Sequence, residues 1–158
     1  MDLRLKATYI CRGLLIFSSI IVIALSVTLH SYFSDDMFPR RHIAPFLYGI
    51  FTGAFGLIAA SFGLAALFLT AVPWFAVITV DGPAAIFYVA GGSVVVKFFD
   101  RYGICGDGAR WNDHRKQDIC GKMGPDSAFM FFGFVVLLVL LALTFLRRDR
   151  RGKPGATV

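Results

Sequence analysis

Thirty-eight consecutive residues, Ile43 to Val80, carry no charged side chain. As one helix rising about 1.5 Å per residue this stretch would reach about 57 Å, nearly twice the roughly 30 Å of hydrocarbon in a bilayer. Pro73 supplies the break, because proline removes a backbone donor and disfavours helix in the residue before it. The stretch therefore reads as two membrane spans, 45–69 and 74–96, joined by a tight turn at Thr70 to Pro73. A turn that short makes the two spans antiparallel neighbours.

Two further apolar runs complete the pattern, at 13–29 and 127–146. The chain is 57% hydrophobic and 16% charged, with a mean hydropathy of +0.70. A soluble domain carries about 25% charged residues, and lipid replacing water as solvent explains the deficit. All ten acidic residues are Asp, so Glu–Lys pairs along exposed helix faces are absent. The first run has a basic start, like a secretory signal. Its apolar core is longer than the about 7 to 15 residues of such signals, and Ala24-Leu25-Ser26 is a poor cleavage site. It is read as a span. The fold class predicted is thus all-α and integral to the membrane, a single domain forming a four-transmembrane-helix antiparallel bundle.

An even number of crossings puts both ends on one side. The net charge of +6 is concentrated at the ends: Arg4, Lys6 and Arg12 come before or at the first span, and Arg147, Arg148, Arg150, Arg151 and Lys153 follow the last. Basic residues beside apolar runs mark the cytoplasmic side and attract anionic headgroups. A nucleic-acid binder would carry a basic stripe on a folded surface instead. Both termini are therefore expected in the cytoplasm, with external loops at 30–44 and 99–126 and a basic tail at 147–158. Cys105 and Cys120, with fourteen residues between them in the second loop, suit a disulfide in an oxidising compartment; two free thiols are the alternative. Cys11, beside Arg12, is either a palmitoylation site or a small buried hydrophobe.

Helices in lipid associate through small residues that let backbones approach. In the second span Gly49, Gly53, Gly56, Ala60 and Gly63 recur at alternating spacings of four and three, a narrow seam on one face. Gly82, Ala85 and Gly92 form a weaker answering set in the third span. The seam serves either the bundle itself or a contact with another protein or copy. Asp81 is the charge inside a span, and an ionised carboxylate there needs a partner, a proton or water. Lys97 lies about 24 Å along the same helix, too far to reach. Arg12 can reach a similar depth, so an Arg12–Asp81 clamp is expected. A proton or ion relay is the competing reading, and it would need a chain of polar groups that the spacing does not show. Gly82-Pro83 is expected to loosen the helix beside Asp81.

Chemistry-bearing motifs are lacking. Asp107, Asp113 and Asp118 do not have the spacing of a calcium loop. His30, His42 and His114 are scattered, and no triad order or phosphate-cradling glycine loop is present. No catalytic residue, metal site or cofactor is predicted. Tyr102 and Trp111 are candidate interfacial anchors.

Four spans, tails inside, a near-absent inner turn and a cysteine pair before the last span resemble the MARVEL tetraspan proteins. Tyr48-Gly49-Ile50-Phe51-Thr52, opening the second span, and the basic tail Arg147 to Lys153 are similar to those of the fungal non-classical-export and eisosome tetraspans. The acid in span three with a base in span one is similar to the pair in MARVEL proteins and in the plant Casparian-strip proteins. Asp81-Gly82-Pro83 is a departure, more helix-breaking than the family pattern. The resemblance implies a non-enzymatic plasma-membrane organiser of lipid–protein microdomains, sphingolipid-responsive and linked to unconventional export. The implied partners are anionic lipid, sphingolipid or sterol, other membrane proteins or further copies of the chain, and a cytosolic scaffold, with no nucleic acid. An accessory subunit of a transporter, pump or channel is the alternative, and a small transporter is a third.

Overall fold

The computed structural model describes residues 3–34, 44–68, 74–102 and 113–151, with side chains described for 5–31, 45–68, 75–98, 100 and 121–146. These residues form four α-helices and no strand: α1 Leu3–Ser34, α2 Ala44–Phe68, α3 Trp74–Tyr102 and α4 Asp113–Arg151. Helices satisfy every interior backbone group within one segment, which hydrocarbon demands. Each contains a stretch long and apolar enough to cross a membrane: Leu5–Ser31, Pro45–Phe68, Phe75–Phe98 and Gly121–Leu146. The all-α, four-span architecture read from the sequence is the one observed.

The helices outrun the apolar cores that announce them. α1 starts ten residues before Gly13, and α4 starts at Asp113, inside the segment read as the second external loop. Hydropathy marks where lipid begins, whereas a helix continues as long as its backbone bonds are made. α3 runs without interruption through Gly82 and Pro83, and α4 does so through Pro125. The thirteen residues from Asp113 to Pro125 therefore belong to α4, and Asp126 with them. The turn at 70–73 lies outside the described residues.

α1 packs between α2 and α4, and α3 packs between the same two, so α1 and α3 stand on a diagonal. The bundle keeps its polar groups inside, among an apolar core, and is apolar outside. Arg12, Ser18, Ser19, Ser26, Thr52, Asp81 and Asp126 are buried, while Ile10, Phe17, Ile58, Ile86 and Phe145 are about half exposed or more. Water would penalise such a surface. Lipid does not.

The glycine seam of α2 is wholly buried, and it packs mainly on α1, with Gly56 also meeting Tyr88 of α3. Gly53 packs most closely on backbone: a Cβ there would come within 3.0 Å of the Ser19 carbonyl oxygen. Gly49 lies against Ser26, Gly56 against Ser19 and Tyr88, and Gly63 against the Arg12 guanidinium. The expected answering set on α3 does not form. Gly82 has open space around it, and Gly92 packs on Phe131 of α4. Aromatic rings take over between α2 and α3, where Phe87 meets Phe51 at 5.4 Å and Phe55 at 5.2 Å, centroid to centroid. Both contacts are edge-to-face, the favourable arrangement for ring quadrupoles.

Candidate functional site

The polar interior is organised in layers seven residues apart. A seven-residue step is close to two helical turns, so it returns to the same face of a packed helix. On α1 the repeat is Arg12, Ser19, Ser26; on the antiparallel α2 it is Gly63, Gly56, Gly49. On α3 it is Asp81, Tyr88, Val95, and on α4, again antiparallel, Leu140, Gly133, Asp126. All twelve positions are buried. Successive layers lie about 10.5 Å apart along the axis.

The layer nearest the chain ends holds the ion pair. The Arg12 guanidinium reaches across the diagonal, with Nη1 donating to Asp81 Oδ1 at 2.7 Å and Nη2 donating to Oδ2 at 2.5 Å. Arg12 and Asp81 are only 2% and 1% exposed. Nη1 also donates to the Ala59 carbonyl at 3.2 Å. This two-pronged geometry is the strong form of a guanidinium–carboxylate contact. Gly63 makes room for it, since a Cβ there would fall among the guanidinium atoms. Arg12 Nε has no acceptor among the described residues. α1 supplies the long arm and α2 supplies the gap.

The middle layer repeats the design with neutral groups. The Ser19 and Tyr88 hydroxyls share a hydrogen bond of 2.7 Å across the same diagonal. Ser19 also donates to the Leu15 carbonyl at 2.7 Å. The Tyr88 ring lies between Gly56 and Gly133, and a Cβ on either glycine would collide with it. In the third layer the bond turns from α3 to α4. Ser26 Oγ donates to Asp126, at 3.2 Å to Oδ2 and 3.4 Å to Oδ1, and both residues are fully buried.

These rungs do not join into one chain. Leu15 and Val22, both with no exposed surface, occupy α1 between them. A proton or ion path needs polar groups or water in succession, and packed side chains of this kind interrupt it. The arrangement suits fastening: the first two rungs tie α1 to α3 across the diagonal, and the third ties it to the adjacent α4.

The structure thus brings together Arg12, Asp81, Gly49, Gly53, Gly56, Ala60 and Gly63 from the sequence reading. Cys11 is a free, partly buried thiol packed against the core. Cys105, Lys153 and Trp111 lie outside the described residues, and for Cys120, Tyr102, Arg147, Arg148, Arg150 and Arg151 only the helix is described. Sequence reasoning passed over Ser19, Ser26, Tyr88, Gly133 and Asp126. Their signal was the heptad itself, since Gly49, Gly56 and Gly63 already show the step that Arg12, Ser19 and Ser26 repeat. Among the described residues no group of His, Cys, Asp or Glu could hold a metal ion.

No curated protein and no solved structure matches the chain. The family model named MARVEL, described as a membrane-associating domain, matches residues 4–144 and so takes in most of each of the four helices. That coverage, together with four apolar helices fastened by an Arg12–Asp81 pair across their diagonal, means that this chain belongs to the MARVEL family of membrane-associating proteins.

Proposed function

We propose that the protein is a non-enzymatic organiser of plasma-membrane microdomains, acting through lipid and membrane-protein neighbours in the plane of the bilayer. The observation that carries this reading is the apolar exterior, with cross-helix polar pairs turned inward. Arg12–Asp81, Ser19–Tyr88 and Ser26–Asp126 bond across helices inside the bundle, while large apolar side chains cover its outside, so the surface on offer is one for lipid and other spans. Family membership supports a role in membrane organisation.

In this reading both tails are cytoplasmic, and Arg147, Arg148, Arg150, Arg151 and Lys153 hold anionic headgroups at about 1 kcal/mol each. The tail would then stand where a cytosolic scaffold assembles. Cys105 and Cys120 would close a disulfide on the external side, and Cys11 would be open to acylation at the inner face. Eisosome-like patches, a response to sphingolipid and a link to unconventional export are part of the proposal on the strength of the family resemblance. The Arg12–Asp81 pair would serve as a structural clamp.

The test is imaging of a tagged full-length chain with and without sphingolipid depletion. Plasma-membrane patches that disperse or rearrange on depletion support the organiser. A uniform distribution, together with fixed co-purification with one large membrane protein after mild detergent extraction, replaces it with an accessory subunit.

A further inference from the structure

Asp126 has no role in the fastening of α1 to α3, and its surroundings differ from those of Asp81. Asp81 meets a guanidinium through two bonds. Asp126 has no exposed surface, and its described side-chain contact is the Ser26 hydroxyl, at 3.2 and 3.4 Å. Both distances are long for an O–H···O bond. Among the described residues the groups around it are few. α1 brings Ser26 and, one turn on, His30. α2 has no charged residue between Ala44 and Phe68, Tyr48 being its titratable group at this end. α3 brings Val95 to this layer, with Lys97 and Asp100 exposed beyond it. α4 places Lys122 one turn before Asp126, engaged in an interaction of its own.

The backbone leading into Asp126 is built to give. Pro125 lacks the N–H that would hold the Gly121 carbonyl in the helix. Gly121 and Gly124 are exposed, with nothing within 4 Å of a Cβ at either. The Ser127 hydroxyl donates to the Gly124 carbonyl at 2.9 Å. A buried acid with one hydroxyl partner among the described residues therefore follows directly on a loosely held turn.

We propose that Ser26 and Asp126 form a proton-dependent latch between α1 and α4, at the end of the bundle away from the chain ends. A neutral acid is accommodated beside Ser26. A carboxylate there has, among the described residues, one hydroxyl where water would supply several donors, and charge without such donors is expensive in an apolar interior. Ionisation opens the rung toward water, the turn at Gly121 to Pro125 absorbing the movement. The closed latch holds one proton more than the open one, so closure is complete in acid and is lost as pH rises. Layer one differs in that Arg12 supplies Asp81 with a counter-charge and two donors.

The test uses the full-length chain in nanodiscs. Amide hydrogen exchange is followed from mildly acidic to mildly alkaline buffer, with exchange time scaled to cancel the intrinsic pH dependence. The open population in residues 22–31 of α1 and 121–130 of α4 is expected to rise about tenfold per pH unit, the limit for one coupled proton. The response disappears in Asp126→Asn and survives in Asp81→Asn. Should Asp126→Asn fail to fold, infrared spectra of the unmodified chain decide: a protonated-acid carbonyl band should fade over the pH range in which exchange rises. Exchange that is level with pH in the unmodified chain, a response that persists in Asp126→Asn, or the absence of a titrating carbonyl band would each overturn the latch.

Discussion

Arg12 and Asp81 lie sixty-nine residues apart in the chain and meet through two hydrogen bonds at the centre of the bundle. Ser19 and Tyr88, one heptad further along each helix, are again sixty-nine residues apart and again bonded. α1 and α3 are therefore parallel and in register over at least two layers, though neither packs directly on the other. Two pairs of side chains, not two backbones, set that register.

Breaking the ion pair from one side is expected to be more harmful than removing it whole. Asp81→Asn or Arg12→Met leaves one buried group without its counter-charge, at about 3–5 kcal/mol. The double variant Arg12→Met/Asp81→Leu should lose less than the two single losses combined. Thermal unfolding in detergent, arranged as a double-mutant cycle, measures this coupling. Arg12→Lys should not rescue, because an ammonium cannot make the two-pronged contact.

The glycines should divide into two classes under substitution by alanine. Gly56→Ala and Gly63→Ala put a methyl onto Tyr88 and the Arg12 guanidinium, and overpacking of this kind costs about 1–3 kcal/mol. Gly13→Ala and Gly82→Ala meet open space, so they should be neutral or gain up to about 1 kcal/mol from helix propensity. Unfolding temperatures of the four variants compared side by side check the division.

Tyr88 tests what the middle rung contributes. Tyr88→Phe removes the hydroxyl and keeps the ring, and hydrogen bonds within membranes average about 0.6 kcal/mol. Tyr88→Ala also empties the space between Gly56 and Gly133, for about 3–5 kcal/mol. A Phe variant as damaging as the Ala variant would place the rung's value in the bond, not in the packing. Unfolding in mixed detergent gives both numbers.

The cysteine pair makes a prediction that needs no geometry. The proposed disulfide between Cys105 and Cys120 would close a loop of roughly fifteen residues, worth about 3 kcal/mol through the unfolded state. Thiol labelling of the intact protein should then find Cys11 without prior reduction and all three cysteines after it. A lowered unfolding temperature on reduction should accompany the change.

Much of the architecture was legible in advance, for a definite reason. Hydrocarbon has one thickness and excludes charge, so the uncharged stretch from Ile43 to Val80 and its break at Pro73 dictate two crossings. Asp81 announced itself as the charge within a span, and Arg12 was the base at matching depth. Ser26, Tyr88 and Asp126 gave no such signal. Serine and tyrosine are ordinary in a span, and Asp126 stands at the polar edge of the last one, where hydropathy alone assigns it to a loop.

By itself the sequence determined the number of crossings, their helical nature and the need for Asp81 to find a partner, because each follows from the cost of exposing charge or backbone to lipid. The tertiary structure decided which face meets which. The seam of α2 turns to the bundle interior, where Gly63 leaves space for Arg12 from α1 and Gly56 for Tyr88 from α3. The third layer bonds α1 to α4 because α3 offers only Val95 at that height. Complementarity between side chains on different helices is a property of pairs, and periodicity along a single helix does not contain it.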